Sequence, residues 1–363
     1  MDKNKTWSER LANSKFVHTL LSILIGFLVG ALFLKIMGLS VSVAYGKLFG
    51  SIFANAKSLS YCVVYATVYI VAGLSVAFSF KTGVFNIGAE GQFVMGSMAA
   101  CVVGILLGDL PGIVLIPLCF LAAAAMGAIW GVIVGFLKTK WGINEVLSMI
   151  MFNWIAFFTS NYIADFPAIH SEGNAEATRN ISEHARILLS KDFIKSLNLA
   201  PTANWGILVA IVLTILVYWI IEKTTLGYEL KAVGYNKNAA EYAGISVNRS
   251  ILTSLAISGA LAGTAGALLL MGMGGRISIF TSQEGYGFAG IVVALIGVTN
   301  PFGVFVAGLF YGAMTFGGSK LNLVGAPTQV VSIIMGTIVF FIAISSIFSR
   351  IKLPKRAGKE TKQ

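Results

Sequence analysis

Two glutamates stand beside glycine in otherwise apolar stretches of this chain, and they are the residues whose chemistry most needs explaining. Glu90 lies in TGVFNIGAEGQ (82–92) and Glu284 in SIFTSQEGYGF (278–288). If the flanking runs lie in a membrane, such carboxylates are typical of substrate or ion pathways. A carboxylate in the first turn of a helix also stabilises the positive end of the helix dipole. For Glu90 both interpretations, direct contact with a substrate and support of a helix start, stay open.

Three amide side chains accompany these carboxylates. Asn86 and Gln92 belong to the first stretch, and Asn153 lies well inside the apolar run GINEVLSMIMFNWIAFFTSNYI. Residues 82–88 are predicted to form a non-helical break that lines an interior cavity or its mouth, because irregular backbone at membrane depth must be buried in protein or face water. Asn86 is predicted to be the N-cap of the helix that follows the break. The predicted substrate pathway contains Asn86, Glu90, Gln92, Asn153 and Glu284.

Catalytic and metal chemistry are not indicated by the remaining reactive residues. No zinc spacing, disulfide framework or nucleophile–base pair is formed by them. The chain also has no G-x-x-x-x-G-K-[ST] motif, so ATP hydrolysis would have to come from another protein. We therefore predict no catalytic residue, no metal and no cofactor. The three cysteines and three histidines are Cys62, Cys101, Cys119, His18, His170 and His184.

Composition places the chain among polytopic membrane proteins. Apolar residues make up 56% of it, charged residues only 11%, and the mean hydropathy is +0.83. A helix needs about 20 mostly apolar residues to cross the hydrocarbon core. The sequence therefore predicts an all-α polytopic membrane protein with about ten transmembrane helices. The predicted spans are 16–37, 59–80, 92–108, 112–137, 145–165, 203–221, 250–272, 285–299, 302–318 and 328–349.

The distribution of lysine and arginine predicts the orientation. With both termini in the cytoplasm, most of the 26 basic residues fall in inner segments, as the positive-inside rule requires. The net charge of +11 then reflects topology and contact with anionic membrane lipid, and not nucleic-acid binding. The predicted organisation is a cytoplasmic N-terminal segment (1–15), a transmembrane domain (16–349) and a basic cytoplasmic tail (350–363).

The transmembrane domain is predicted to contain two inverted five-helix repeats. The halves, 16–165 and 203–349, are joined by an outer loop (166–202), and corresponding helices start about 190 residues apart. An odd number of helices in each half gives the halves opposite membrane orientations. The Glu-Gly pairs at Glu90 and Glu284 each open the third helix of a half. Glycines at four-residue spacing predict close helix contacts: Gly127, Gly131 and Gly135, and the pairs Gly26 and Gly30, Gly259 and Gly263, and Gly308 and Gly312.

An inner loop (222–249) between the sixth and seventh spans is predicted to carry a short helix. Within NKNAAEYAGI, Asn236 or Asn238 is a candidate cap and Gly244 a stop signal. A helix of this kind, lying along the membrane, suits docking into a partner protein. The alternative, an ordinary amphipathic connector, stays open.

Four motifs in order carry a family resemblance: FNIGAEGQ, GINEVLSMIMFNWIA, GYNKNAAEYAGI and EGYGFAGIVVALIGVTNPFG. From about residue 60 to 345 the chain resembles the permease subunits of bacterial nucleoside ABC importers, within the wider family that serves branched-chain amino acids and simple sugars. The resemblance implies a fold like that of type II ABC importers, located in the bacterial cytoplasmic membrane.

The same resemblance implies partners. They are a cytoplasmic ATP-binding subunit, a second permease subunit of the same family, and an extracellular substrate-binding protein or lipoprotein, with no nucleic acid. It also implies that the inner loop is the coupling element that docks into the ATPase subunit. The residues that match this element are Ala239, Ala240, Glu241, Gly244 and Ile245.

The substrate class is predicted to be a neutral polar solute, and the resemblance points to nucleosides. Few cations lie inside the spans, so a strongly anionic substrate would lack counter-charge. One alternative is an ion-coupled secondary transporter of a small polar solute, in which Glu90 and Glu284 would carry coupling ions. A second alternative is an ABC permease for a simple sugar. A third alternative, a membrane enzyme, is disfavoured because the sequence shows no catalytic group of residues.

Overall fold

The computed structural model describes residues 15–279 and 281–348, so the predicted cytoplasmic segments, 1–15 (apart from Lys15) and 350–363, lie outside the described residues. Over the described ranges the chain is built from α-helices, with one small hairpin of strands β1 (His170–Ser171) and β2 (Asn174–Thr178). The helices are α1 (Lys15–Ile36), α2 (Val41–Ile52), α3 (Ala56–Phe80), α4 (Ala89–Leu106), α5 (Gly112–Trp141), α6 (Glu145–Ala164), α7 (Lys191–Ser196), α8 (Gly206–Lys223), α9 (Thr225–Tyr235), α10 (Lys237–Tyr242), α11 (Val247–Leu269), α12 (Tyr286–Ile296), α13 (Pro301–Ser319) and α14 (Gln329–Phe348).

Each of the ten predicted spans corresponds to one of these helices. Within the described residues eight helices are long and apolar enough to cross a membrane: α1, α3, α4, α5, α6, α8, α11 with its π-helical extension, and α13. The other two, α12 and α14, are apolar but shorter over their described parts. The predicted all-α, multi-pass membrane fold is therefore confirmed, while the two inverted repeats stay a prediction.

The two ends of the helix bundle are distinguished by what they carry. Helices α9 and α10 connect α8 to α11 at one end, which we call the α10 face. The β-hairpin lies at the other end, the hairpin face, where the Thr178 N–H donates to the Ile277 carbonyl at 2.8 Å. At the α10 face the Lys81 ammonium group donates to the Thr299 hydroxyl at 3.3 Å, which joins the end of α3 to the start of α13.

The core is formed by α3, α4 and α11, which are mostly buried, while α1, α5 and α8 are largely exposed. Glycine permits the close crossings in this core, as predicted from the four-residue spacing. A Cβ atom at Gly259 would overlap the Gly127 carbonyl of α5, and one at Gly96 would overlap the Gly263 backbone. The backbones of α4, α5 and α11 therefore touch directly, which gives the dispersion contacts on which membrane helices rely.

Helix α2 and the β-hairpin were not predicted. Helix α2 buries Ala44, Leu48 and Ile52 at intervals of four residues, so a helical pattern was present in a segment too short to span a membrane. It packs near Gly317 of α13. The hairpin gave no signal of its own because its strands gain their main partners from the segment that follows α11, far away in sequence.

The α5–α11 crossing yields a first prediction. We expect Gly259→Ala to lower the thermal stability of the purified protein by about 1–3 kcal/mol, because the added methyl group overpacks two backbones that touch. Gly336→Ala is the matched control. Nothing lies within 4 Å of a Cβ atom at Gly336 in α14, and alanine is the better helix former. Equal melting temperatures for the two variants would contradict the proposed crossing.

Candidate functional site

The site begins at the break between α3 and α4. Residues 82–88 form turns without regular helix, as predicted, and the chain reverses at Gly83 with φ of +70°. Thr82 and Asn86 are fully buried within this break. The Thr82 hydroxyl donates to the Ser254 hydroxyl of α11 at 2.8 Å. The break is thus held inside the protein by hydrogen bonds to α11.

Asn86 does not cap α4, which corrects the expectation from the sequence. Gly88 occupies the N-cap position, and no side chain caps the helix from there. The Asn86 amide instead donates to the Gln92 side-chain oxygen at 2.8 Å and to the Ser258 hydroxyl at 2.7 Å, and Ser258 donates to the Ser75 carbonyl at 2.8 Å. The amide turns toward α11 because buried polar groups there need partners.

Glu90 lies in the first turn of α4, as expected, but its carboxylate serves a different helix. Its Oε1 accepts a hydrogen bond from the Gly285 N–H and its Oε2 one from the Gly287 N–H, both at 2.7 Å. These N–H groups begin α12, where the first four backbone donors have no partner within the helix. A carboxylate at this position makes two charge-assisted hydrogen bonds and stabilises the positive end of the α12 dipole.

Glycines make this contact between α4 and α12 possible. A Cβ atom at Gly287 would overlap the Glu90 backbone, so only glycine allows the two helix starts to approach this closely. Gly285 has φ of +84°, a left-handed conformation that glycine adopts without strain. The sequence Glu-Gly-Tyr-Gly therefore has a physical reason for each glycine.

Asn153 of α6 supports the same region from the opposite side. Its Oδ1 accepts from the Gly91 N–H at 2.8 Å, and its Nδ2 donates to the Ile87 carbonyl at 3.1 Å. A Cβ atom at Gly91 would lie 2.9 Å from the Asn153 Oδ1. Both ends of the amide thus satisfy buried backbone groups of the break and of α4.

Four of the five predicted pathway residues are therefore brought together by the structure. Each is buried and hydrogen-bonded to other parts of the protein: Asn86, Glu90, Gln92 and Asn153. Glu284 adjoins this group, because it directly precedes Gly285, whose N–H donates to Glu90, but it also lines a cavity open toward the hairpin face. A role for all five in substrate passage stays a prediction.

The cavity beside Glu284 has a volume of about 420 Å³. One acidic and one basic side chain, Glu284 and Arg276, line it together with Ser97, Ser278 and Tyr286. The other lining residues are Leu269, Leu270, Met273, Gly274 and Ile277. The wall is thus charged at two points, carries two hydroxyl groups from serines and is apolar elsewhere, which is typical of a small-molecule site.

An aromatic stack closes one side of this cavity. The Tyr286 ring stacks on Phe93 with centroids 5.3 Å apart and on Tyr69 with centroids 5.6 Å apart. Tyr69 in turn packs on Tyr311 at 4.5 Å. Tyr69 and Tyr311 line a second cavity of about 410 Å³ between α3, α13 and α14. The stack therefore lies between two cavities, and the four rings are fixed by one another.

Sequence reasoning did not identify these aromatic residues or Arg276. Tyr286 follows directly after Glu284-Gly285, and Tyr61, Tyr65 and Tyr69 recur at helical spacing on α3. A tyrosine directly after the predicted helix break could therefore have been recognised from the sequence as a candidate site residue. The meeting of α3 with α12 was not visible, because it joins residues more than 200 positions apart.

The second predicted site, at the α10 face, has the predicted local structure. The Asn236 side chain caps α10 by accepting from the Ala239 N–H at 3.1 Å. Gly244, with φ of +83°, ends the helix, and the Ile245 N–H donates to the Ala240 carbonyl at 3.0 Å. The short capped helix is confirmed. Its function in docking stays a prediction.

Two tyrosines that sequence reasoning did not single out flank α10. Tyr235 is 90% exposed and Tyr242 is 93% exposed. Tyr242, Glu241 and Asn238 line a shallow cavity at this surface. Tyrosine is enriched among the residues that contribute most to protein interfaces. Two nearly fully exposed tyrosine rings therefore lie at this surface, next to the capped helix.

The known proteins to which this chain is similar are membrane transport permeases. The family described as branched-chain amino acid transport system / permease component matches residues 58–343. The chain is 38% identical to the guanosine ABC transporter permease protein NupP of Bacillus subtilis over 92% of this chain and 94% of the relative. It is 32% identical to the nucleoside ABC transporter permease protein NupB of Lactococcus lactis over 96% and 97%. It is 33% identical to the glucose ABC transporter permease protein TsgB13 of Haloferax volcanii over 79% and 76%.

The Glu90 contact yields a second prediction. Glu90→Gln keeps one acceptor oxygen but places an NH₂ group against a backbone N–H of α12. We expect the purified variant to lose about 1–3 kcal/mol of stability, the cost of leaving a buried donor unsatisfied, and to melt at a lower temperature. Glu172→Gln, an exposed change in the hairpin turn, is the charge-matched control. A Glu90→Gln protein as stable as this control would contradict the cap.

Proposed function

Because the chain belongs to the branched-chain amino acid transport system / permease component family, whose members are transport subunits and not enzymes, we propose that it forms the translocation pathway of an ABC importer for nucleosides. The observation that carries the substrate class is the similarity, over more than nine-tenths of the chain, to relatives named as guanosine and nucleoside permease proteins.

The cavity at the hairpin face supports a neutral polar substrate. Its lining contains one arginine and one glutamate, so the charges balance. A nucleoside offers hydroxyl groups to polar side chains and an apolar base to aromatic ones. A nucleotide would bring two negative charges into a cavity that already holds the Glu284 carboxylate, with Arg276 as the one basic residue in its lining.

The α10 surface supports a separate motor. We propose that Ala239, Ala240, Glu241, Gly244 and Ile245 form the coupling element that docks into a cytoplasmic ATP-binding subunit. Docking into a partner subunit requires a short helix with fixed ends and exposed side chains. The Asn236 cap and Gly244 fix the ends of α10, and Tyr235 and Tyr242 are the exposed side chains. A second permease subunit of the same family completes the translocation pathway, and an extracellular binding protein or lipoprotein delivers the substrate.

The ion-coupled carrier is less well supported. In that alternative Glu90 and Glu284 would carry coupling protons or sodium ions, yet both oxygens of Glu90 accept backbone N–H groups of α12, which leaves only Glu284 available for this role. An ion released in each cycle would break the start of a helix. A carrier that works alone also has no use for an exposed docking helix.

The proposed orientation places the α10 face in the cytoplasm and the hairpin face outside. Lys138, Lys140 and Lys223 lie at the α10 ends of their helices, and Lys231 lies in α9 at the same face, in agreement with the positive-inside rule. Both termini would then be cytoplasmic, and the protein would lie in the bacterial cytoplasmic membrane. The β-hairpin and its loop would meet the binding protein.

We also propose that the halves 16–165 and 203–349 are inverted repeats. Their contacts correspond: α3 packs against α12 and α13, while α11 packs against α4 and α5. Helices α4 and α12, third in their halves, begin side by side at Glu90 and Gly285 and run toward opposite faces. Helix α12 has 11 residues and is about 17 Å long, so it starts near the middle of the membrane.

A third prediction tests the substrate class. The complete importer, reconstituted in vesicles with ATP, should take up labelled guanosine. Unlabelled nucleosides should compete, while nucleoside monophosphates and glucose should compete at least about tenfold less well, the effect of one charged contact or lost hydrogen bond. Stronger competition by glucose would favour the sugar-permease alternative. Equal competition by monophosphates would contradict the charge argument.

A fourth prediction tests the coupling element. Glu241→Lys and Tyr242→Ala should weaken binding of the ATPase subunit by about tenfold or more, because both side chains lie on the exposed surface of α10. The measurement is co-purification and nucleoside uptake in the assembled importer. Glu183→Lys, at the hairpin face, is the control for charge reversal. Unchanged ATPase binding in both α10 variants would place the motor elsewhere.

A further inference from the structure

We propose that Glu284 is the ribose-recognising group of this chain, and that its carboxylate accepts hydrogen bonds from the 2′- and 3′-hydroxyls of a ribonucleoside. This inference rests on the nucleoside function proposed above. It adds a location for the sugar, in the cavity at the hairpin face, and a preference for ribose over deoxyribose.

The first step is that Glu284 has no structural task of the kind that Glu90 performs. The backbone donors at the start of α12, on Gly285 and Gly287, are already held by the two oxygens of Glu90. Glu284 is the residue directly before them, yet its side chain lines the cavity. Capping of α12 therefore explains the Glu90 carboxylate but not the Glu284 carboxylate.

The second step is that nothing in the described part of the chain satisfies the Glu284 carboxylate. Among the described residues its side chain has no hydrogen bond, and no ion pair joins it to Arg276, although both residues line the same cavity. Glu284 is itself an exposed residue at the wall of this cavity. Its two oxygens are therefore available to accept hydrogen bonds from a substrate that enters the cavity.

The third step is the match between the donors of ribose and a carboxylate. An ionised carboxylate only accepts hydrogen bonds, and it has two oxygens for two donors. The vicinal hydroxyls of ribose present two O–H donors on adjacent carbons. Acidic side chains recognise ribose hydroxyls in this way in dinucleotide-binding folds. A 2′-deoxyribose offers one donor to the same group and leaves part of it unsatisfied.

The fourth step is space and rigidity. A cavity of about 420 Å³ falls within the range of about 300–1,000 Å³ that is usual for small-molecule sites. The Glu90 carboxylate accepts a hydrogen bond from the N–H of Gly285, the residue after Glu284, and so holds the backbone next to Glu284 in place. The ring of Tyr286 is held by Phe93 and Tyr69. The acceptor is therefore presented on a rigid edge, so little ordering is needed when the sugar binds.

The experiment compares two sugars in the complete importer. Uptake of labelled guanosine and of labelled 2′-deoxyguanosine is measured with the wild-type chain and with Glu284→Gln, always with the same binding protein. We expect Glu284→Gln to lower guanosine uptake about tenfold, the effect of losing one charge-assisted hydrogen bond, and 2′-deoxyguanosine uptake less than about twofold. Because the binding protein is unchanged, a shift in the ratio of the two rates reports on this chain.

Two further variants complete the test. Glu284→Asp keeps the charge and should keep the preference for guanosine, while Glu172→Gln removes a charge from the same face outside the cavity and should change neither rate. Equal losses for both nucleosides in Glu284→Gln, or no loss for either, would overturn ribose recognition while leaving the nucleoside function intact. A wild-type importer that transports neither nucleoside would instead overturn the function on which the inference rests.

Discussion

The contact between the Glu90 carboxylate and the first N–H groups of α12 is the interaction on which the rest of the site depends. The first backbone N–H groups of α12 have no partner within their own helix, and the hydrocarbon core of a membrane offers no water to satisfy such groups. One carboxylate supplies two oxygens at 2.7 Å and compensates the dipole of α12. Its removal would leave the N–H groups of Gly285 and Gly287 without these acceptors.

The other buried polar groups hold the helix that carries this carboxylate. Asn153 binds both the break and the first turn of α4, and Asn86 ties the break to Ser258 of α11. Thr82 makes a second contact to α11 at Ser254. Polar networks of this kind stabilise one arrangement when every member is satisfied. The break is therefore a fixed element of the core and not a loose loop.

These contacts also form a continuous connection between the two faces. Helix α11 begins five residues after α10 ends, and it carries the serines that hold the break. The break leads to Glu90, Glu90 holds α12, and Glu284 precedes α12 at the wall of the cavity. A displacement of α10 by a partner would act on one end of this series, while a substrate would meet the other.

The sequence by itself determined the class, the positions of ten apolar helices and the capped helix α10, because apolar run length and capping residues act locally. It also located the glycine contacts and the unusual carboxylates. Only the tertiary structure decided what Glu90 and Asn86 bind, since their partners lie 195 and 172 positions away. The sequence suggested that Asn86 caps its own helix, a local solution. In the folded protein the Asn86 amide instead reaches Ser258 of α11, because the buried polar groups of α11 also need hydrogen-bond partners.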